Sequence, residues 1–107
     1  MSIKEITVQE LKKKMDVQED FQLIDVREIF EHEMVNIGGL LMPMATVVDE
    51  LEHIEKNKPV IVYCRSGVRS ANIIAYLESQ YGLLNLYNLK GGINAWAMEI
   101  DNSLSPY

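Results

Sequence analysis

Cys64 is the only cysteine of the chain, and it stands where an apolar stretch, Pro59-Val60-Ile61-Val62-Tyr63, runs straight into Arg65-Ser66-Gly67-Val68-Arg69-Ser70. A lone thiol at a strand end is often an inert core residue. The residues that follow argue otherwise, because a purely structural strand end has no need of two arginines. Gly67 permits a backbone with positive φ, through which successive amides can turn inward and form an anion-binding concavity. Arg65 and Arg69 add positive charge, and the helical pattern that begins near Val68 adds the positive end of its dipole. A thiol in that setting should be largely ionised, and the chemistry it can do is nucleophilic.

The remainder of the composition narrows the field. One cysteine excludes an internal disulfide and any Cys-x-x-Cys redox or zinc pair. His32 and His53 lack ligand spacing and read as surface or helix-face residues, so neither a metal nor another cofactor is indicated. A formal net charge of −6 argues against a nucleic-acid or anionic-membrane partner, which makes the arginines beside Cys64 a local exception. At 107 residues, 48% hydrophobic and 24% charged, the chain has the size and balance of one soluble domain. No apolar run approaches the ~20 residues of a membrane helix, and nothing at the N-terminus reads as a secretory leader, so a cytoplasmic protein is expected.

The elements that must position Cys64 follow from patterning. Thr7 with Glu10 three residues on predicts a capping box for a helix through about Met15. Residues 21–26 read as a strand, 28–34 as a short helix, 36–39 as a turn and 40–42 as a short strand. Thr46 is expected to cap a helix through about Glu55, with Asp49 in its first turn. A strand at 59–63, a helix at 68–80, a strand near 84–89, a Gly91-Gly92 break and a closing helix around Trp96 complete the series. Strands alternating with helices predict an α/β domain. The strand before Cys64 is apolar at successive positions, as a central strand covered on both faces should be. Parallel α/β sheets bind ligands at the carboxyl ends of their strands, and Cys64 is at such an end.

Several blocks of this sequence resemble the single-domain rhodanese sulfurtransferases: Asp25-Val26-Arg27-Glu28 with Glu31, Ile37-Gly38-Gly39 leading to Pro43, the stretch from Val62 to Ser70, and Leu89-Lys90-Gly91-Gly92 with Ala95-Trp96. The block around Cys64 is the most specific. The resemblance covers nearly the whole chain and implies a three-layer sandwich, with a five-stranded, mainly parallel sheet between helices. It also implies a Cys64 persulfide formed from a donor such as thiosulfate, with no cofactor. Arg65, Ser66, Gly67, Val68, Arg69 and Ser70 would bind substrate and persulfide. Asp25 and Arg27 would support the site by tying loops together, with Arg27 also able to meet Glu31 at i,i+4. With no second cysteine to resolve it, the persulfide must pass to an external cyanide, thiol or protein acceptor.

Two rival functions share this fold. Related phosphatases and arsenate reductases place one more residue between cysteine and arginine than the four between Cys64 and Arg69, and usually carry histidine where this chain has Tyr63. Non-catalytic binding modules often lack the cysteine. Trp96 reads as a core anchor, and Met34, Met42 and Met44 as core filler rather than pocket lining. The stretch Val35-Asn36-Ile37-Gly38-Gly39 departs from the Gly-His-Ile-Pro-Gly common in the family, so this turn is expected to differ. The tail from Asp101 to Tyr107 resembles the ends of rhodanese domains fused to adenylyltransferases, which implies a ubiquitin-like sulfur carrier as partner; a flexible polar tail on one domain spanning 1–107 is the plainer alternative.

Overall fold

The computed structural model describes residues 3–105, and within them an apolar central strand is covered on both faces by helices. The elements in chain order are β1 (Glu5–Ile6), α1 (Val8–Asp16), β2 (Gln22–Asp25), α2 (Ile29–Met34), β3 (Leu40–Leu41), a 3-10 helix (Met44–His53), β4 (Val60–Tyr63), α3 (Val68–Tyr81), β5 (Leu86–Leu89) and α4 (Gly92–Glu99). The strands lie in the order β1-β5-β4-β2-β3, and every pairing is parallel. The domain is therefore an α/β sandwich with a wholly parallel five-stranded sheet. Such a sheet needs helical crossovers, which place all five strand ends on one edge.

Strand β4 lies at the centre, and all four of its residues are buried. Its side chains alternate between two cores. Val60 and Val62, followed by Cys64, pack with Ile73, Ile74 and Leu77 of α3. Ile61 and Tyr63 pack on the opposite face with Leu11 of α1 and with Ile93 and Trp96 of α4. Trp96 is a core anchor, and Met42 is fully buried, whereas Met34 is exposed.

Helix α1 begins with the expected capping box: the Thr7 hydroxyl accepts from the Glu10 amide at 3.1 Å, and the Glu10 carboxylate accepts from the Thr7 amide at 2.8 Å. Two local expectations are corrected, and one strand is added. The segment at 44–53 is a 3-10 helix entered from Pro43, and Thr46 does not cap it. The Thr46 amide already donates to the Pro43 carbonyl, while its hydroxyl reaches Pro43 O and Glu50. The β-branched run Thr46-Val47-Val48 disfavours a regular α-helix there, and the backbone leaves helical geometry at Glu50. The last strand starts at Leu86, just after Asn85, whose side chain donates to the carbonyls of Glu55 and Lys58. The edge strand Glu5–Ile6 was too short for the pattern to reveal; it forms because its backbone completes the ladder beside β5.

Residues 101–105 fold back as a turn, in which the Asp101 carboxylate accepts from the amide and hydroxyl of Ser103 and Leu104 packs against the core shared by Trp96. Pro106 and Tyr107, the end of the tail singled out from the sequence, lie outside the described residues. Among the described residues, no helix is long and apolar enough to cross a membrane.

Candidate active site at the end of strand β4

Cys64 is the first residue after β4, and its side chain is 1% exposed. The Gly67 amide donates to Sγ at 3.1 Å, the Ser70 amide at 3.4 Å, and the Ser70 hydroxyl lies 3.3 Å away. Gly67 is the N-cap of α3 and has no side chain with which to satisfy the free amide of the first helical turn. The sulfur of Cys64 takes over that capping role. Gly67 itself adopts φ +100°, a left-handed conformation that brings its own amide round to face the sulfur. The donors thus aim at the place where a thiolate carries its charge, at the positive end of a 14-residue helix.

The loop is held from behind by α4. The amides of Ile93 and Asn94 donate to the carbonyls of Cys64 and Arg65, both at 3.0 Å. This approach accounts for the Gly91-Gly92 break: a Cβ on Gly92 would lie 2.4 Å from Cys64 O and 2.5 Å from Arg65 O. With both carbonyls engaged, the peptide planes at the start of the loop are fixed.

Next to the loop, at the end of β2, lies a buried ionic network. Asp25 and Arg27 are both fully buried and form a fork, Arg27 Nε to Oδ1 at 3.0 Å and Nη2 to Oδ2 at 2.8 Å. Oδ2 also meets His32 Nδ1 at 2.7 Å, and Arg27 Nη2 donates to Val35 O at 2.7 Å. The guanidinium lies 5.5 Å from the centre of the Tyr63 ring, whose hydroxyl donates to Gly38 O. Burial acts to raise the Asp25 carboxyl, but the hydrogen bonds from Arg27 and His32 outweigh it and hold the group below the ordinary carboxylate range. Burial raises the Tyr63 hydroxyl. Asp25 and Arg27 therefore tie β2 to α2 and to Val35 at its end, while Tyr63 holds the 36–39 turn.

The i,i+4 pair between Arg27 and Glu31 does not form. Glu31, itself buried, instead takes Arg69 in a two-pronged bridge at 2.8 and 2.9 Å, because Arg27 is already committed to Asp25. The Arg69 bonds lead the effects that lower the Glu31 carboxyl, and the same pairing raises Arg69. The two arginines of the motif are thus unequal. Arg65 is exposed and makes no ion pair among the described residues, while Arg69 links α3 to α2 beside the sulfur. Ser66 and Val68 are exposed on the rim of the loop.

Sequence reasoning missed Asn88. It is 3% exposed on β5, in register with Val62, and its Oδ1 lies 2.5 Å from Ser70 Oγ while its Nδ2 donates to Gly67 O at 3.1 Å. The available signal was an amide within the otherwise apolar run Leu86-Tyr87-Asn88-Leu89, since a buried amide must find partners.

A strand-end cysteine cradled by the first turn of a helix, in a parallel sheet of this order, defines a class, and comparison with known proteins identifies it. The family model for the rhodanese-like domain matches residues 7–99. The chain is 38% identical over 96 residues to a sulfurtransferase of Allochromatium vinosum, with 89% of each protein covered. A rhodanese-like domain protein from Staphylococcus aureus superposes with a TM-score of 0.79 at 37% identity, covering 88% of this chain and 91% of that one. MoeZ of Mycobacterium tuberculosis, whose name pairs adenylyltransferase with sulfurtransferase, is 31% identical over 105 residues, which are 95% of this chain and 26% of MoeZ. The chain belongs to the rhodanese-like family.

Proposed function

We propose that the protein is a sulfurtransferase that carries sulfane sulfur on Cys64. The observation that carries this reading is the convergence of the Gly67 amide, the Ser70 amide and the Ser70 hydroxyl on Sγ. The sequence relatives named as sulfurtransferases support it. In the first step the Cys64 thiolate attacks the outer sulfur of thiosulfate. A new S–S bond forms, the thiosulfate S–S bond breaks, and its electron pair leaves with sulfite. In the second step a nucleophile attacks the outer sulfur of the persulfide, and the pair of the breaking S–S bond returns to Sγ.

Burial shapes this chemistry. A thiol that is 1% exposed favours slender anions as donors, and the outer sulfur of the persulfide extends its reach by about 2.05 Å. The amides from Arg65 to Ser70 form the anion cradle, with Ser66, Gly67 and Val68 supplying its curve. Exposed Arg65 draws in the anionic donor, and Arg69 contributes field rather than direct contact, since Glu31 holds its guanidinium. Asp25 and Arg27 support this arrangement from the side. On the acceptor side, the similarity to MoeZ, whose name pairs adenylyltransferase with sulfurtransferase, supports a carrier carboxylate activated as an acyl-adenylate. The outer persulfide sulfur attacks its carbonyl carbon and AMP leaves. An external thiol then attacks Sγ of the acyl disulfide so that the thiocarboxylate leaves, and a second thiol frees Cys64 from the mixed disulfide.

Intact-mass measurement after incubation with thiosulfate tests the reading. The protein should gain one sulfur atom and lose it to cyanide, and Cys64→Ser should remain folded, gain nothing and turn over no substrate. Turnover by that variant would overturn the assignment. A second arm adds an adenylyltransferase, ATP, the carrier and a small thiol: a thiocarboxylate mass that depends on Cys64 supports the carrier as acceptor, and one that forms equally well with Cys64→Ala removes this chain from the route.

A further inference from the structure

The Ser70 hydroxyl has two neighbours that compete for one proton. Its oxygen lies 2.5 Å from Asn88 Oδ1 and 3.3 Å from Cys64 Sγ. A hydroxyl carries a single hydrogen, and an amide oxygen carries none, so the contact with Asn88 requires the hydroxyl proton. The orientation of the amide is not free. Asn88 Nδ2 lies 3.1 Å from Gly67 O, a carbonyl that can only accept, so nitrogen must face Gly67 and oxygen must face Ser70. Turning the amide over would set oxygen against oxygen at Gly67 and leave Gly67 O without that donor. Asn88, Ser70 and Gly67 are all buried, so water is not at hand to take the place of a missing partner.

We propose that Asn88 is a positioning residue that gives the Ser70 hydroxyl a resting acceptor, so that the hydroxyl can follow the charge on Cys64 Sγ. This rests on the sulfur-carrier reading above. When Sγ is neutral, as a thiol or as the inner sulfur of a persulfide, the hydroxyl donates to Asn88 Oδ1 and turns a lone pair toward the sulfur. When Sγ is a thiolate, the hydroxyl rotates about its C–O bond and donates to the sulfur. No proton changes owner in this motion; one hydrogen bond replaces another. The charge on Sγ appears and disappears once per catalytic cycle, and a hydroxyl with two acceptors is satisfied in both halves. Through its second bond, to Gly67 O, the same amide fixes the residue whose N–H faces the sulfur from the other side.

The test measures the rate of Cys64 alkylation by iodoacetamide across pH, which requires no sulfur donor. In Asn88→Ala the hydroxyl keeps only the sulfur as partner, which favours the thiolate, and the midpoint of the alkylation profile should move about one unit to lower pH, the effect of roughly one neutral hydrogen bond lost from the thiol state. In a Ser70→Ala background the same substitution should produce no such move. Arg65, Arg69 with its partner Glu31, Asp25 and Lys90 remain in every variant, so the surrounding charges are held constant. An unchanged profile, a move to higher pH, or an equal move without the Ser70 hydroxyl would overturn the proposal. If Asn88→Ala does not fold, the side-chain carbonyl 13C signal of Asn88 in the unaltered protein should shift with the ionisation of Cys64 and stay still in Ser70→Ala; a signal that ignores the ionisation in the unaltered protein overturns the proposal as well. Failure of persulfide formation would instead count against the sulfur-carrier reading, which is measured separately by mass.

Discussion

The two strands that flank β4 end in opposite chemistry. On the β2 side stand Asp25, Arg27, His32, Glu31 and Arg69, a set of ionisable side chains bonded to one another. On the β5 side stand Asn88 and, beyond it, Gly91 and Gly92, and among the described residues no charged side chain is hydrogen-bonded to Cys64 Sγ. The difference separates two tasks. The charged side binds chain segments to one another, since Asp25 and Arg27 reach His32 and Val35, and Glu31 reaches α3. The neutral side orients the groups that meet the sulfur, where an unpaired charge would disturb the reaction itself. Damage on the first side should therefore appear mainly as lost stability, and damage on the second mainly as altered chemistry.

The largest expected effect breaks the charged side. Arg27→Ala would leave Asp25 fully buried without its main partner, and the loss should be about 3–5 kcal/mol in a urea-unfolding experiment. A loss below about 1 kcal/mol would mean that this network contributes little to holding the loops.

A smaller effect follows from pH. Asp25 and Glu31 have carboxyls lowered from 3.8 and 4.5, so in acid the unfolded chain binds more protons than the native one. Their contribution is complete above those ordinary values and is lost as the pH falls through the lower native ones. Urea midpoints should thus decline below about pH 4.5, and Glu31→Gln should flatten part of that decline. An identical slope in the variant would remove Glu31 from the acid response.

The smallest effect on stability sharpens the contrast. Arg65→Ala changes an exposed side chain with no ion partner among the described residues, and stability should move by less than about 0.5 kcal/mol. The KM for thiosulfate should nevertheless rise, and the rise should shrink with added salt. An unchanged KM at low salt would place donor attraction elsewhere in the loop.

Much of this arrangement was legible in the sequence because it depends on local rules. The capping box at Thr7, the two-sided apolar run before Cys64 and the glycine at 67 each state a backbone requirement within a few residues. The resemblance to rhodaneses supplied the five-stranded sheet. Pairings across the chain were not legible. Arg69 finds Glu31 across 38 positions and Ser70 finds Asn88 across 18, and no spacing rule connects residues on separate elements. Nor was β1, whose two residues become a strand only because β5 lies beside them. The 3-10 helix was misread because Thr46 satisfies the local signature of a cap while Pro43, three residues earlier, has already begun the turn.

The grip of α4 on the carbonyls of Cys64 and Arg65 has a kinetic meaning. A loop that must become ordered around its reactant carries that ordering into the activation entropy of the reaction. Here the ordering is complete when the chain has folded, because Gly92 admits the backbone contact and the Ile93 and Asn94 amides lock it. The barrier to sulfur transfer is then chiefly one of bond making and breaking. Differences between donors should accordingly appear in the temperature dependence of the rate as enthalpy, with the entropy of the loop nearly constant from one donor to the next.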